Sequence, residues 1–473
     1  MIADLVISGA TIVTDTAQFS ASIAIKDGAI LAIGDAAAMP EAKETLDATG
    51  KYILPGAIDA HVHFREPGYS HKETWETGTA SAAMGGVTTV FEMPNTKPPT
   101  GTVEALNLKL KAAESAYVDF GIYGLLGESN LDQLEALIEG GVAGFKCFMG
   151  NTFANLPSPP TGAILEGFEI IAKHGYRIAL HAENASIMAR RETKLKEAGR
   201  NDPLAHLAAR PPVVAVEAVA RAAILAEWTG ARIHILHVSS GDELRPLREA
   251  KARGVDITAE TCPHYLLLDE HAYTEMGSLI RVNPPVREKS HQDQLWAGVR
   301  DRTIDMIATD HAPHSAAEKH KDDIWCADCG FTGVETQMPL MLTQVSAGRM
   351  TLNDYVRMTS TAPALAFGLY PRKGALLPGS DADLVVIDMD RPETVDSARL
   401  QSKSPSTPFD KAEVTGMPIH TLVRGRFVMK DRTLMTDARG HGLSVRRIQR
   451  MPTPTPKNLE HTTAAILAAK PSR

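Results

Sequence analysis

Through its middle the chain alternates short apolar runs with segments whose apolar residues recur every three or four positions. The runs cover residues 54–62, 87–93, 118–123, 142–148, 177–181, 232–238, 255–261 and 304–310, each with the length and near-continuous apolar character of a buried strand. Residues 102–116, 163–174, 214–229 and 242–253 carry the helical period between them. Strand and helix in alternation predict repeated βα units and a parallel sheet. Gly85-Gly86 reads as a tight passage from helix to strand, because glycine accepts backbone angles that other residues avoid. Residues 150–160, with three prolines and two asparagines, read as a loop over one end of the sheet.

The two ends of the chain have a different texture. Leu5-Val6-Ile7, Thr11-Ile12-Val13 and residues 22–26 and 29–33 around Asp27-Gly28 read as short strands and a hairpin. The same pattern returns in residues 382–387 and in residues 421–428 around Arg424-Gly425. Eight strands in the middle is the barrel number. The expected fold is therefore α/β, a (β/α)8 TIM barrel over residues 55–369. A small composite β-sandwich is expected from residues 1–54 and 370–439. Residues 440–473 read as a tail, stiffened by Pro452, Pro454 and Pro456, with a short helix over residues 462–469 that lies on a neighbouring subunit of a homo-oligomer, dimer or tetramer.

Charge and composition narrow the partners. A net charge of −8 excludes a general nucleic-acid surface, which requires clustered Lys and Arg. No apolar run approaches the ~20 residues that cross a bilayer, and the first residues lack a signal peptide's basic and apolar regions. A cytoplasmic protein with no membrane partner is expected. Cys147, Cys262, Cys326 and Cys329 are too scattered for a disulfide framework, and the lone Cys326-x-x-Cys329 lacks the second pair of a zinc ribbon.

The chemistry collects at strand ends, which is where a barrel places its functional groups. The first run ends at His61 and His63, two apart and so on one side of a strand; the fourth carries Lys146, the fifth ends at His181, the sixth holds His237 and the eighth ends at Asp310. A single such histidine is more often a core residue, but this set converging on one rim points to a metal site. Imidazoles and a carboxylate without paired thiolates suit Zn²⁺, with Mn²⁺ or another divalent ion also compatible. Lys146 is the odd member, since burying an ammonium beside divalent cations is costly. As a carbamate formed with CO₂ it becomes an anion whose two oxygens can bridge two metals.

At this point the chain resembles the cyclic amidohydrolases: dihydroorotases, hydantoinases (dihydropyrimidinases) and allantoinases. The resemblance spans nearly the whole chain. It is carried by His61-Val62-His63-Phe64-Arg65-Glu66-Pro67-Gly68, Lys72-Glu73-Thr74, Met93-Pro94-Asn95-Thr96, Gly144-Phe145-Lys146, His181-Ala182-Glu183, His237-Val238-Ser239, Asn283-Pro284-Pro285 and Asp310-His311-Ala312-Pro313-His314. It implies a barrel with a composite sandwich, two divalent metals on the ligand set above, and a small cyclic amide as substrate.

Arg65, Asn95 and His314 resemble the positions that hold the substrate carboxylate in dihydroorotases, and Asn283 resembles a ring-contacting position there. Gly144-Phe145-Lys146-Cys147-Phe148 and Glu260-Thr261-Cys262-Pro263-His264-Tyr265-Leu266 look more like allantoinases and hydantoinases. Dihydroorotase-type chemistry of pyrimidine biosynthesis is the expected activity, with a neutral ring as the alternative. In that reading Asp310 is the catalytic group that moves a proton to the departing ring nitrogen. A surface ion pair of Arg65 with Glu66 or Glu73 is its bland alternative. A non-catalytic scaffold of this family would typically have lost the metal ligands, which are complete here.

Overall fold

The computed structural model describes residues 2–150 and 156–447. The expected helix over residues 462–469, and residues 151–155 of the loop expected over residues 150–160, lie outside them.

Two sheets organise the chain. Strands β1 (Ala3–Val13), β2 (Gln18–Lys26), β3 (Ala29–Gly34), β4 (Ala42–Asp47) and β5 (Tyr52–Pro55) come from the first flank. Next in the chain are β6 (Ala57–Val62), β7 (Val87–Glu92), β8 (Asp119–Leu125), β9 (Gly144–Phe148), β10 (Arg177–His181), β11 (Arg232–Ile235), β12 (Ile257–Thr261) and β13 (Met306–Ile307). The last four are β14 (Leu384–Thr394), β15 (Glu413–Val423), β16 (Arg426–Lys430) and β17 (Thr433–Leu434).

Strands β6 to β13 pair in sequence order, each parallel to the next, and a parallel bridge between Val62 and His311 joins the first to the last. This is the TIM barrel. The other nine strands form one sheet in the order β17-β16-β15-β14-β5-β1-β2-β3, with β4 on the far side of β1. Strand β5 knits the two flanks together, parallel to β1 and antiparallel to β14.

The apolar run over residues 54–62 is thus two strands in two sheets. The chain leaves the sandwich sheet after Pro55, Gly56 N–H donates to Asp383 O (3.0 Å), and Ala57 N–H donates to Gly86 O in the barrel (3.2 Å). A side chain at position 56 would collide with Thr88, whose Cγ2 and Oγ1 lie 2.2 Å from where its Cβ would be. The change of sheet therefore falls on the one residue without a Cβ.

The core follows the sequence pattern. Val62, Phe145, Leu180, Ile235 and Ala259 belong to the barrel's apolar cluster, and Leu5, Ile7, Ile23, Ile53, Leu384 and Leu422 to the sandwich's. Between the two, Lys373 Nζ reaches Asp119 (2.6 Å), Asp383 (2.5 Å) and Asp381 (3.0 Å), and Arg424 also pairs with Asp119. Asp119 opens β8 and Asp383 precedes β14, so a buried ion cluster ties barrel to sandwich.

The expected helices are present as Val103–Ala112, Thr161–Ala172, Val213–Thr229 and Leu244–Ala252. Others stand between strands as well, among them Trp75–Met84, Ala185–Glu197 and Lys289–Arg300. Helix Trp75–Met84 is capped by Thr74, whose hydroxyl accepts from Thr77 N–H, and ends on Gly85. Gly86 follows at φ 77°, a left-handed turn into β7 that glycine takes without strain.

Candidate metal centre

A cavity of about 390 Å³ opens at the C-terminal ends of the barrel strands. His61, His63, Arg65, Asn95, Lys146, Phe148, His181, His237, Asn283, Asp310 and Cys329 are on its wall. Of the residues singled out in the sequence, His314 alone is off this wall.

The strand period explains the first pair. His61 is the fifth residue of β6 and His63 follows its end, anchored by its own N–H to His311 O (2.7 Å). Nε2 of each lies 3.1 Å from Asp310 Oδ1. On the far ring atoms, His61 Nδ1 meets Glu260 Oε1 at 2.6 Å and His63 Nδ1 meets Asn95 Oδ1 at 2.8 Å. Those oxygens accept, so both Nδ1 atoms carry the hydrogens and both Nε2 atoms point lone pairs at the same carboxylate oxygen. Acceptors converging without a hydrogen between them are the arrangement a cation reconciles.

The second pair repeats it. His181 Nε2–H donates to Glu183 Oε2 (2.8 Å), leaving Nδ1 2.9 Å from His237 Nε2. His237 Nδ1 is buried with no hydrogen-bond partner among the described residues. All four imidazoles are pushed below the ordinary histidine range, chiefly by burial, so they stand neutral, the form that binds metal. His61, His63 and Asp310 also satisfy, by themselves, the geometry of a group able to hold one ion.

Lys146 enters from β9 and is 1 % exposed. Its Nζ lies 4.6 Å from the centroid of the Phe148 ring, and burial pushes it down to about 7. Burial likewise lifts Asp310 to about 7. A lysine held near neutrality is a free amine, the form that reacts with CO₂. The donor set thus fits two divalent ions, one between His61, His63 and Asp310 and one between His181 and His237, with Lys146 on the same cavity wall.

Two of these residues sit in strained backbone. His237 (φ 40°) and Asp310 (φ 48°) occupy the left-handed region, as does Arg65 (φ 63°). Non-glycine residues there cluster at functional sites. The strand run expected to reach residue 238 ends at Ile235, and the last run is a strand only over Met306–Ile307. His237 and Asp310 are therefore presented from turns beyond the strand ends.

Arg65 is 2 % exposed, which removes the surface reading. Its Nε donates to Pro313 O (3.3 Å) and its Nη2 lies 3.0 Å from His314 Nε2. His314 stands behind it, and its Nδ1 faces Lys72 Nζ (2.8 Å) and Asp328 Oδ2 (3.0 Å). Lys72 also contacts Glu318 (3.0 Å) and Asp328 (2.7 Å). Behind the cavity wall Lys72 thus faces two anions, Glu318 and Asp328. Asn95 spends its carbonyl oxygen on His63, whereas Asn283 Oδ1 is buried without a partner among the described residues.

The sequence reading did not single out Glu260 and Glu183, although both lie in motifs that carry the resemblance. The available signal was a carboxylate in or beside an otherwise apolar strand, which is unstable there without a partner.

Comparison with known proteins agrees with this geometry. The profile of the amidohydrolase family matches residues 52–428. An L-hydantoinase of Paenarthrobacter aurescens is 35% identical over 94% of this chain and 98% of its own. An allantoinase of Solibacter usitatus is 36% identical over 89% and 93%, and a dihydroorotase of Methanothermobacter thermautotrophicus 37% identical over 88% and 92%. The solved structure of L-hydantoinase (dihydropyrimidinase) from Arthrobacter aurescens superposes with a TM-score of 0.92 at 35% identity, covering 94% of this chain and 100% of that one.

Proposed function

The chain belongs to the amidohydrolase family and is a hydrolase of cyclic amides, and from that premise we propose that it opens a neutral hydantoin-type ring at a two-metal centre. The observation that carries the reading is the convergence of four neutral imidazoles, Asp310 and Lys146 on one cavity. Hydantoin and allantoin share the five-membered imidazolidinedione ring, so one substrate class accommodates both the L-hydantoinase and the allantoinases among the relatives.

The site's charge balance favours a neutral ring over dihydroorotate. His314, expected as a carboxylate contact, lies behind Arg65, Lys72 is already paired with Asp328 and Glu318, and the carboxylates of Asp310 and Asp328 already act on the Arg65 charge. Arg65 on the wall is the observation that favours the second reading, a ring bearing a carboxylate.

His61, His63 and Asp310 would hold one divalent ion and His181 and His237 the other, with Lys146 as its carbamate adding an anionic donor; Zn²⁺ suits this donor set. When bound, such ions supply a Lewis acid for the ring carbonyl and a water nucleophile at neutral pH, its pKa lowered to near ~7. Asp310 accepts the proton of the attacking water at its carboxylate and returns it to the departing ring nitrogen, which would otherwise leave as a poor amide anion. Asn283 Oδ1, on the wall and without a partner among the described residues, accepts a ring N–H and sets the ring's orientation. Phe148 gives the wall an apolar face beside the centre.

Assaying hydantoin, allantoin, dihydrouracil and dihydroorotate at matched protein and metal tests the reading. Turnover led by a five-membered neutral ring supports it, and turnover of dihydroorotate alone would replace it with the second reading.

A further inference from the structure

Glu260 and Glu183 touch the histidines of the centre without facing the cavity. Glu260, on β12, is fully buried; its Oε1 accepts from His61 Nδ1 (2.6 Å) and its Oε2 lies 2.9 Å from His234 Nε2. His234 Nδ1 in turn meets Thr258 Oγ1 at 2.8 Å, so the chain of contacts runs from the centre down into the barrel. Glu183, also fully buried, accepts from His181 Nε2 (2.8 Å) and pairs with Arg210, whose backbone carbonyl takes Arg287 Nη1 (2.8 Å). One carboxylate serves each pair of imidazoles, and they do so through opposite ring nitrogens.

That opposition has a chemical meaning. A neutral imidazole has one lone pair to give, and the nitrogen that gives it is fixed by where the other nitrogen's hydrogen is held. Glu260 takes the Nδ1 hydrogen of His61 and leaves Nε2 beside Asp310. Glu183 takes the Nε2 hydrogen of His181 and leaves Nδ1 beside His237. His237 has no such support on Nδ1, so its partner His181 must be the more firmly set of the two.

We infer that Glu260 and Glu183 are positioning residues, each fixing the tautomer and ring orientation of the histidine that anchors one of the two metal sites, so that each metal's affinity is set by a different buried carboxylate. The inference rests on the two-metal reading above.

The test uses the metal-loaded full chain and two variants at each position. In Glu183→Leu the zinc held by His181 and His237 should bind about 10–100-fold more weakly while the other remains, and Glu260→Leu should weaken the ion at His61 and His63 instead. Glu183→Gln and Glu260→Gln should keep near-native affinity, because the amide carbonyl oxygen still accepts the imidazole hydrogen. A merely structural carboxylate would show no such rescue confined to one ion. Where a leucine variant fails to fold, ¹⁵N-histidine spectra of the zinc-loaded wild type decide: His61 should carry its hydrogen on Nδ1 and His181 on Nε2. The reverse tautomers, or folded leucine variants with both zinc affinities unchanged, would overturn the inference. Wild type that binds no zinc would instead overturn the two-metal reading on which it rests.

Discussion

His181 Nδ1 lies 2.9 Å from His237 Nε2 although His181 already gives its one hydrogen to Glu183. Two imidazoles arranged in this way share a cation more comfortably than they face each other empty. Replacing His237 with Ala should therefore reduce bound metal by about half and lower kcat/KM by ~10³-fold or more, the several kcal/mol expected of metal-assisted hydrolysis. Elemental analysis beside steady-state kinetics checks both; unchanged metal content would show that His237 is not a ligand.

Lys146, pushed down to about 7 by burial, is a free amine over a wider pH range than an exposed lysine. Reconstitution of metal-free protein should be slow in CO₂-free buffer and accelerated by bicarbonate. Lys146→Ala should lose most activity, with partial recovery on adding short carboxylic acids. Reconstitution indifferent to bicarbonate would contradict carbamylation.

Arg65 separates the two substrate readings. For a neutral hydantoin-type ring, Arg65→Ala should change KM little. If the substrate carries a carboxylate, the lost charge-assisted contact should raise KM by ~10–150-fold, equivalent to about 1.5–3 kcal/mol. Kinetics of wild type and variant on hydantoin and dihydroorotate distinguish these outcomes, and a large loss confined to dihydroorotate would revise the substrate proposed here.

Much of this arrangement was legible in the sequence because strand ends are. Eight apolar runs predict the barrel, and the side-chain period of two places His61 and His63 together. The change of sheet at Gly56 was hidden, because an unbroken apolar run does not reveal that its two halves pair with different sheets. Equally hidden was the position of His314 behind Arg65: motif spacing places both near the site but does not say which one reaches the cavity. Glu260 escaped for a third reason, since its partners His61 and His234 lie on other strands and only the fold brings them into contact, whereas the contact of Glu183 with His181, two residues away, is local and only its pairing with Arg210 needed the fold.

The Lys373 cluster offers a test of the architecture apart from chemistry. Lys373 is 2 % exposed and its ammonium holds Asp119 and Asp383 at once. Lys373→Met should leave Asp383 buried without its counter-charge while Asp119 keeps Arg424, at a cost of about 3–5 kcal/mol. Denaturant unfolding should register that loss, while kcat of the remaining folded protein stays near wild type; a stability change under ~1 kcal/mol would show that the cluster contributes little.

The central claim is a hydrolase whose chemistry needs both metal positions, and the most direct measurement is a zinc titration of chelator-stripped protein in bicarbonate buffer, following hydantoin opening alongside bound metal. Activity should be absent at the start and reach its plateau only as the second equivalent binds. Full turnover in protein shown by elemental analysis to be metal-free, or a plateau reached with the first equivalent, would contradict it.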